Sequence, residues 1–188
     1  RRVLLEATKG SRWGGLWGLP ALVREASEEL ARIRGGHVLP RVLVVGEIYV
    51  RNVPSSNGFA VEALERRGLR ARVSQIVEFL HYSDYIGAKL HGPSLGGAIN
   101  RYVRWRVETC CHEAAASALG WGHAPRVRDV VRSAAPWVNE ALEGETVLTV
   151  GAAVHATRAG EVDGILSVGP LECMPNKLAE THLAHVGE

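Results

Sequence analysis

A chain of 188 residues with 46% hydrophobic and 22% charged content has the balance of an ordinary globular domain, which excludes disordered and fibrous classes. The formal net charge of +2 is too small for a nucleic-acid footprint, although all the basic residues except Lys9, Lys89 and Lys177 are arginines, and neither a nucleic acid nor a membrane is expected as a partner. No apolar run approaches the roughly 20 residues that cross a bilayer, and the opening RRVLLEATKG lacks the layout of a signal peptide. Three cysteines, two of them adjacent at Cys110 and Cys111, make no disulfide framework, so a cytoplasmic location with reduced thiols is expected. The single methionine is Met174, which suggests a piece excised from a longer chain.

Residues 21 to 34 place Leu22, Val23, Ala26, Leu30 and Ile33 at helical spacing, with Gly35 and Gly36 as a stop. After Pro40, RVLVVGEI is a short β-branched run ended by Gly46, the pattern of a strand buried on both faces. The polar stretch YVRNVPSSN reads as a connection, from which Ser56 or Asn57 caps a helix over 59 to 68. LRARVSQI, residues 69 to 76, reads as a second strand, and the βαβ order makes the two parallel.

The middle is predicted to be helical over 77 to 90, 99 to 119 and 128 to 142, with Pro136 breaking or restarting the last of these. The glycine-rich stretch 91 to 100 lacks phosphate-loop spacing and reads as a linker between helices. Within RYVRWR, Tyr102 and Trp105 are expected to face inward from a helix while the arginines reach outward, in preference to a single-strand nucleic-acid surface. The segment 145 to 160 is ambiguous between a strand, from TVLTV, and a helix, from Val147, Gly151 and Val154. VDGILSV is a third strand, GPLECMP its exit loop, and NKLAETHLAHV a closing helix with Pro175 near its first turn.

These elements predict an α/β fold, a Rossmann-like open parallel sheet with flanking helices, partly truncated. Residues 1 to 39 form an N-terminal helical segment, and 40 to 188 an α/β domain with a helical insertion at about 76 to 143. Ligands of open parallel sheets bind outside the carboxyl ends of the strands. That rule selects Glu47, Tyr49, Arg51 and Asn52 after the first strand, Ser74 and Gln75 after the second, and Glu172 and Cys173 after the third. Cys173 combines a thiol with a nearby helix amino terminus, which favours the thiolate that metals and electrophiles need, while Glu172 opposes it. The alternative is a small buried side chain. Cys110 and Cys111 read as core residues, and His182 with His185 share a helix face without an evident third ligand.

The stretches VGEIYVRNVPSSNGFAVEALERRG, residues 45 to 68, and GETVLTVGAAVHATRAGEVDGILSVGPLECMPNKLAE, residues 144 to 180, resemble the 2-hydroxyacyl-CoA dehydratase and CoA-substrate-specific enzyme activase-related superfamily, and the likeness extends over roughly residues 40 to 188. The resemblance implies an iron-sulfur protein in which Cys173, the cysteine of GP..CMP, ligates a four-iron four-sulfur (4Fe-4S) cluster. It also implies Glu47 and Arg51 near the cluster or substrate, Asn57 and Pro175 shaping the loops, and a helix over 145 to 158. The implied function is electron transfer in acyl-CoA dehydration, with an ATPase activator and acyl-CoA as partners. Two departures stand out. Leu171-Glu172 stands where an aromatic or apolar residue followed by glycine is commoner. A cluster also takes about four protein ligands, so further ligands are expected from other domains or subunits of the parent, and the piece alone is expected to be inactive. The competing reading is a noncatalytic α/β binding or interaction domain that has lost the cluster.

Overall fold

The computed structural model describes residues 15–33, 35, 38–92, 95–142 and 144–186. These fall into two compact units, one built from residues 1–37 and 92–124 and the other from 38–91 and 125–188.

The first unit holds two long helices that pack along each other, α1 (Gly15–Ile33) and α5 (Leu95–Leu119). Helix α1 starts six residues before Ala21 and carries Pro20 inside it. Its predicted end at Arg34 and stop at Gly36 lie outside the described residues, as does everything before Gly15. Helix α5 absorbs most of the predicted linker, because glycine in a helix costs only about 1 kcal/mol and does not forbid it; Gly96 and Gly97 are helical. The expected orientation of RYVRWR is reversed. Tyr102 is 61% and Trp105 41% exposed, whereas Arg101 and Arg104 are half-buried. The covered stripe runs through Arg101, Arg104, Glu108, Cys111 and Ala115, and at 3.6 residues per turn the two aromatic residues fall off it. Cys110 and Cys111 are both half-buried, and burial pushes the Cys111 thiol pKa up.

The second unit is the α/β fold. Three strands, β1 (Arg41–Gly46), β2 (Arg70–Val73) and β3 (Gly164–Val168), form an open parallel sheet in the order β2-β1-β3. Strand β1 is central. Its register runs from Arg41↔Arg70 to Val44↔Val73 on one side and from Val42↔Gly164 to Gly46↔Val168 on the other. A strand flanked on both edges and covered on both faces needs apolar side chains throughout, and Leu43, Val44 and Val45 are fully buried. At its start Arg41 N donates to Asp163 Oδ2 at 2.7 Å, and Asp163 N returns a bond to Arg41 O at 2.7 Å.

Helices α2 (Ile48–Asn52) and α3 (Ala60–Glu65) connect β1 to β2, followed by α4 (Val77–His91), α6 (Val127–Ala134), a 3-10 turn (Glu140–Leu142), α7 (Glu145–Arg158) and α8 (Met174–Val186). Helix α6 ends before Pro136. The five-residue α2 stands where a polar connection is expected from the sequence. The ambiguous segment is helical over Glu145–Arg158, the span the family resemblance implies. It is buried from Thr146 to Val154 without a break, so it has neither the polar face of a surface helix nor the alternation of a strand. Gly151 lets it approach α6 closely, since a Cβ there would collide with the Val130 carbonyl oxygen. Val130, Val131, Val147, Val150 and Val154 join Leu43 and Val45 in one core. Among the described residues no helix is long and apolar enough to cross a membrane.

Candidate functional site at the carboxyl ends of the strands

Parallel pairing brings the carboxyl ends of all three strands to one edge. At the end of β1, Gly46 takes φ 111° where any Cβ would strike the Val168 carbonyl, so only glycine fits between β1 and β3. The next residue, Glu47, donates its N–H to Val168 O at 3.0 Å and joins the two strand exits. Its carboxylate accepts from Tyr49 N at 3.1 Å and Val50 N at 2.8 Å. These are amino-terminal N–H groups that a helix cannot satisfy internally, and capping them makes the short α2 possible.

Arg51 ends up only 3% exposed. Its guanidinium donates through Nη1 to Gly46 O at 3.0 Å and through Nη2 to Gln75 O at 3.2 Å, tying the β1 exit to the β2 exit. The Nε–H has no partner among the described residues. Burial lowers the arginine pKa, while Glu78, Glu145 and Glu47 raise it. Asn57 closes the same loop. Its Nδ2 donates to Val50 O at 2.9 Å and Arg51 O at 3.3 Å, and its Oδ1 accepts from Ala60 N at 3.0 Å. Of the two predicted capping residues, Asn57 is thus the one that receives the first N–H of α3. Ser56 turns its hydroxyl to Val53 O at 2.8 Å.

At the β2 exit the buried Ser74 donates its hydroxyl to Glu78 Oε2 at 3.0 Å. Burial raises the Glu78 pKa, against Arg51, the Ser74 hydrogen bond and Arg72. Glu145 opens α7 on the same edge, and burial followed by the charge of Glu47 raises its pKa, against a hydrogen bond from the Ile48 backbone and the charge of Arg51. One guanidinium therefore stands among three carboxyl groups. Glu78 and Glu145 were not among the residues selected from strand exits. Each sits in the first turn of a helix, where the macrodipole favours a carboxylate, and Glu145 becomes visible once its segment is read as a helix.

The β3 exit is built differently. Cys173 N donates to Pro170 O at 3.2 Å, and Cys173 O accepts the first helical bond of α8 from Lys177 N at 2.9 Å, which makes Cys173 the N-cap residue. The thiol is half-buried. Leu171 and Met174 beside it are 90% and 71% exposed, and Glu172 holds φ 61° in the left-handed region that favours glycine. Pro175 contributes its carbonyl, which accepts from the Thr146 hydroxyl at 2.9 Å and links α8 to α7. The buried Asn176 donates to Glu180 Oε1 at 2.7 Å and accepts from Ser167 at 3.3 Å.

The structure thus brings Glu47, Arg51, Asn57, Ser74 and the Gln75 backbone together and puts Cys173 on the neighbouring strand exit. Tyr49 and Asn52 are exposed on α2. Among the described residues no three His, Cys, Asp or Glu side chains group to hold a metal ion. His182 is half-buried and His185 exposed on α8. Protein-family models, curated proteins and solved structures give no match to this chain.

Proposed function

We propose that the α/β unit is a domain of a 2-hydroxyacyl-CoA dehydratase or activase-related iron-sulfur protein that supports electron transfer in acyl-CoA dehydration. In this reading Cys173 supplies one thiolate to a 4Fe-4S cluster whose other ligands come from other domains or subunits of the parent. Acyl-CoA and an ATPase activator are the partners that the family resemblance implies. The observation that carries the reading is the position of Cys173, a half-buried thiol that begins a helix at the carboxyl end of a parallel strand.

The test is anaerobic reconstitution of the full-length parent with iron and sulfide, with and without Cys173→Ser, read by charge-transfer absorption at about 400 nm. The variant is expected to take up less iron. Serine is itself a good N-cap, so its melting temperature should stay within a few degrees of the parent's. Equal iron uptake by the two proteins rejects the reading.

A second reading, a noncatalytic binding or interaction domain, is favoured by the satisfied state of the β1 exit. Glu47 and Asn57 direct their side-chain polar groups to backbone partners, and Arg51 does the same with both terminal nitrogens, which leaves these residues architectural. A parent that takes up no iron selects this reading.

A further inference from the structure

We propose that Asn57 is a covalent modification site, a deamidation site that the folded β1 exit loop holds in check. The next residue is Gly58, whose lack of a side chain leaves its backbone nitrogen the least hindered route to the Asn57 side chain. In the reaction Gly58 N bonds to Asn57 Cγ, the Cγ–Nδ2 bond breaks and ammonia leaves. Water then opens the cyclic imide to aspartate or isoaspartate. No oxidant or reductant is required.

The structure restrains each atom the reaction must move. The leaving nitrogen, Nδ2, donates to Val50 O and Arg51 O, and Oδ1 accepts from Ala60 N. Gly58 and Phe59, the residues that follow, are held in consecutive left-handed conformations at φ 64° and 57°. Cyclisation requires the amide to turn out of all three hydrogen bonds, so it proceeds only from a locally opened loop. The product does not fit back. A carboxylate only accepts, so the Val50 and Arg51 carbonyls lose their donor and face a negative charge instead. Isoaspartate further reroutes the backbone through the side chain. Because this loop sets the position of Arg51, each conversion permanently loosens the β1 exit, and the modified fraction records how often the loop has opened.

The test uses the full chain in mildly alkaline buffer, folded and in urea, with the tryptic peptide Asn52 to Arg66 followed by mass spectrometry. Asn52 precedes the β-branched Val53 in the same peptide and serves as the internal control. The unfolded chain should convert at Asn57 and not at Asn52, and the folded chain should convert at least about tenfold more slowly, as exchange through local opening requires. Equal rates in the two states, or no conversion at Asn57 in urea, overturn the proposal. Asn57→Asp should also speed amide hydrogen exchange over residues 50 to 60, and unchanged exchange refutes the loosening.

Discussion

The exits of β1 and β3 lie side by side on one edge of the sheet and are finished in opposite ways. At the β1 exit Glu47 caps backbone N–H groups, Arg51 binds two carbonyls and Asn57 bridges both ends of its loop. At the β3 exit the chain carries a left-handed Glu172, two apolar side chains in solvent and a half-buried thiol. A polar residue at a strand exit therefore signals binding only when it has capacity to spare. The β1 exit is mostly spent on holding itself together, and the β3 exit is the one left facing outward.

The sharpest way to break this contrast is at the point where the two exits touch. Gly46→Ala drives a Cβ into the Val168 carbonyl at a positive φ, and it should cost about 4 kcal/mol or prevent folding, measured by urea denaturation. Arg51→Ala should cost about 3 kcal/mol, because it strips two carbonyls of their donor and leaves Glu78 without its main compensating charge. A smaller effect follows from Glu78 itself. Its raised pKa means that the folded chain binds a proton there more tightly than the unfolded chain. The cost is absent below the ordinary carboxylate range, grows as pH rises through that range, and is complete above the raised folded value. Glu78→Gln should flatten the decline of the urea midpoint across that window, and an unchanged slope would show that Glu78 titrates alike in both states. At the β3 exit the sign reverses. Glu172→Gly relieves the left-handed backbone and should gain about 0.5–1 kcal/mol, whereas a loss would show that the carboxylate contributes to the loop.

Much of this fold was legible in the sequence because burial and pattern coincide there. The run RVLVVG could only be a fully covered strand, and β1 is one; the parallel order followed from the βαβ unit. Legibility failed where two signals overlapped or where none exists. TVLTVGAAV carries β-branched residues in a helix buried all round, so the helical spacing of Val147, Gly151 and Val154 could not be separated from the strand signal of TVLTV. Helix α2 is too short to show a period and depends on the Glu47 cap. Tyr102 and Trp105 were misplaced because their aromatic character outweighed the helical phase that carries them into solvent. At the site, strand-exit logic located Glu47, Arg51 and Cys173, but no local pattern reveals that Arg51 reaches Gln75 O or that Glu172 is left-handed.

Strand β1 also sets an order of assembly. It meets β2 after a short crossover, but Arg41 meets Asp163 across 122 residues, with β2 and helices α2 to α7 in between. Closing so long a loop costs entropy that only the finished β1–β3 ladder and the packing of α7 repay. The Arg51 loop, made of sequence neighbours, can therefore form early, while the strand that carries Cys173 to the sheet edge is expected to dock late. During refolding the arginine should be buried before the thiol has reached its place.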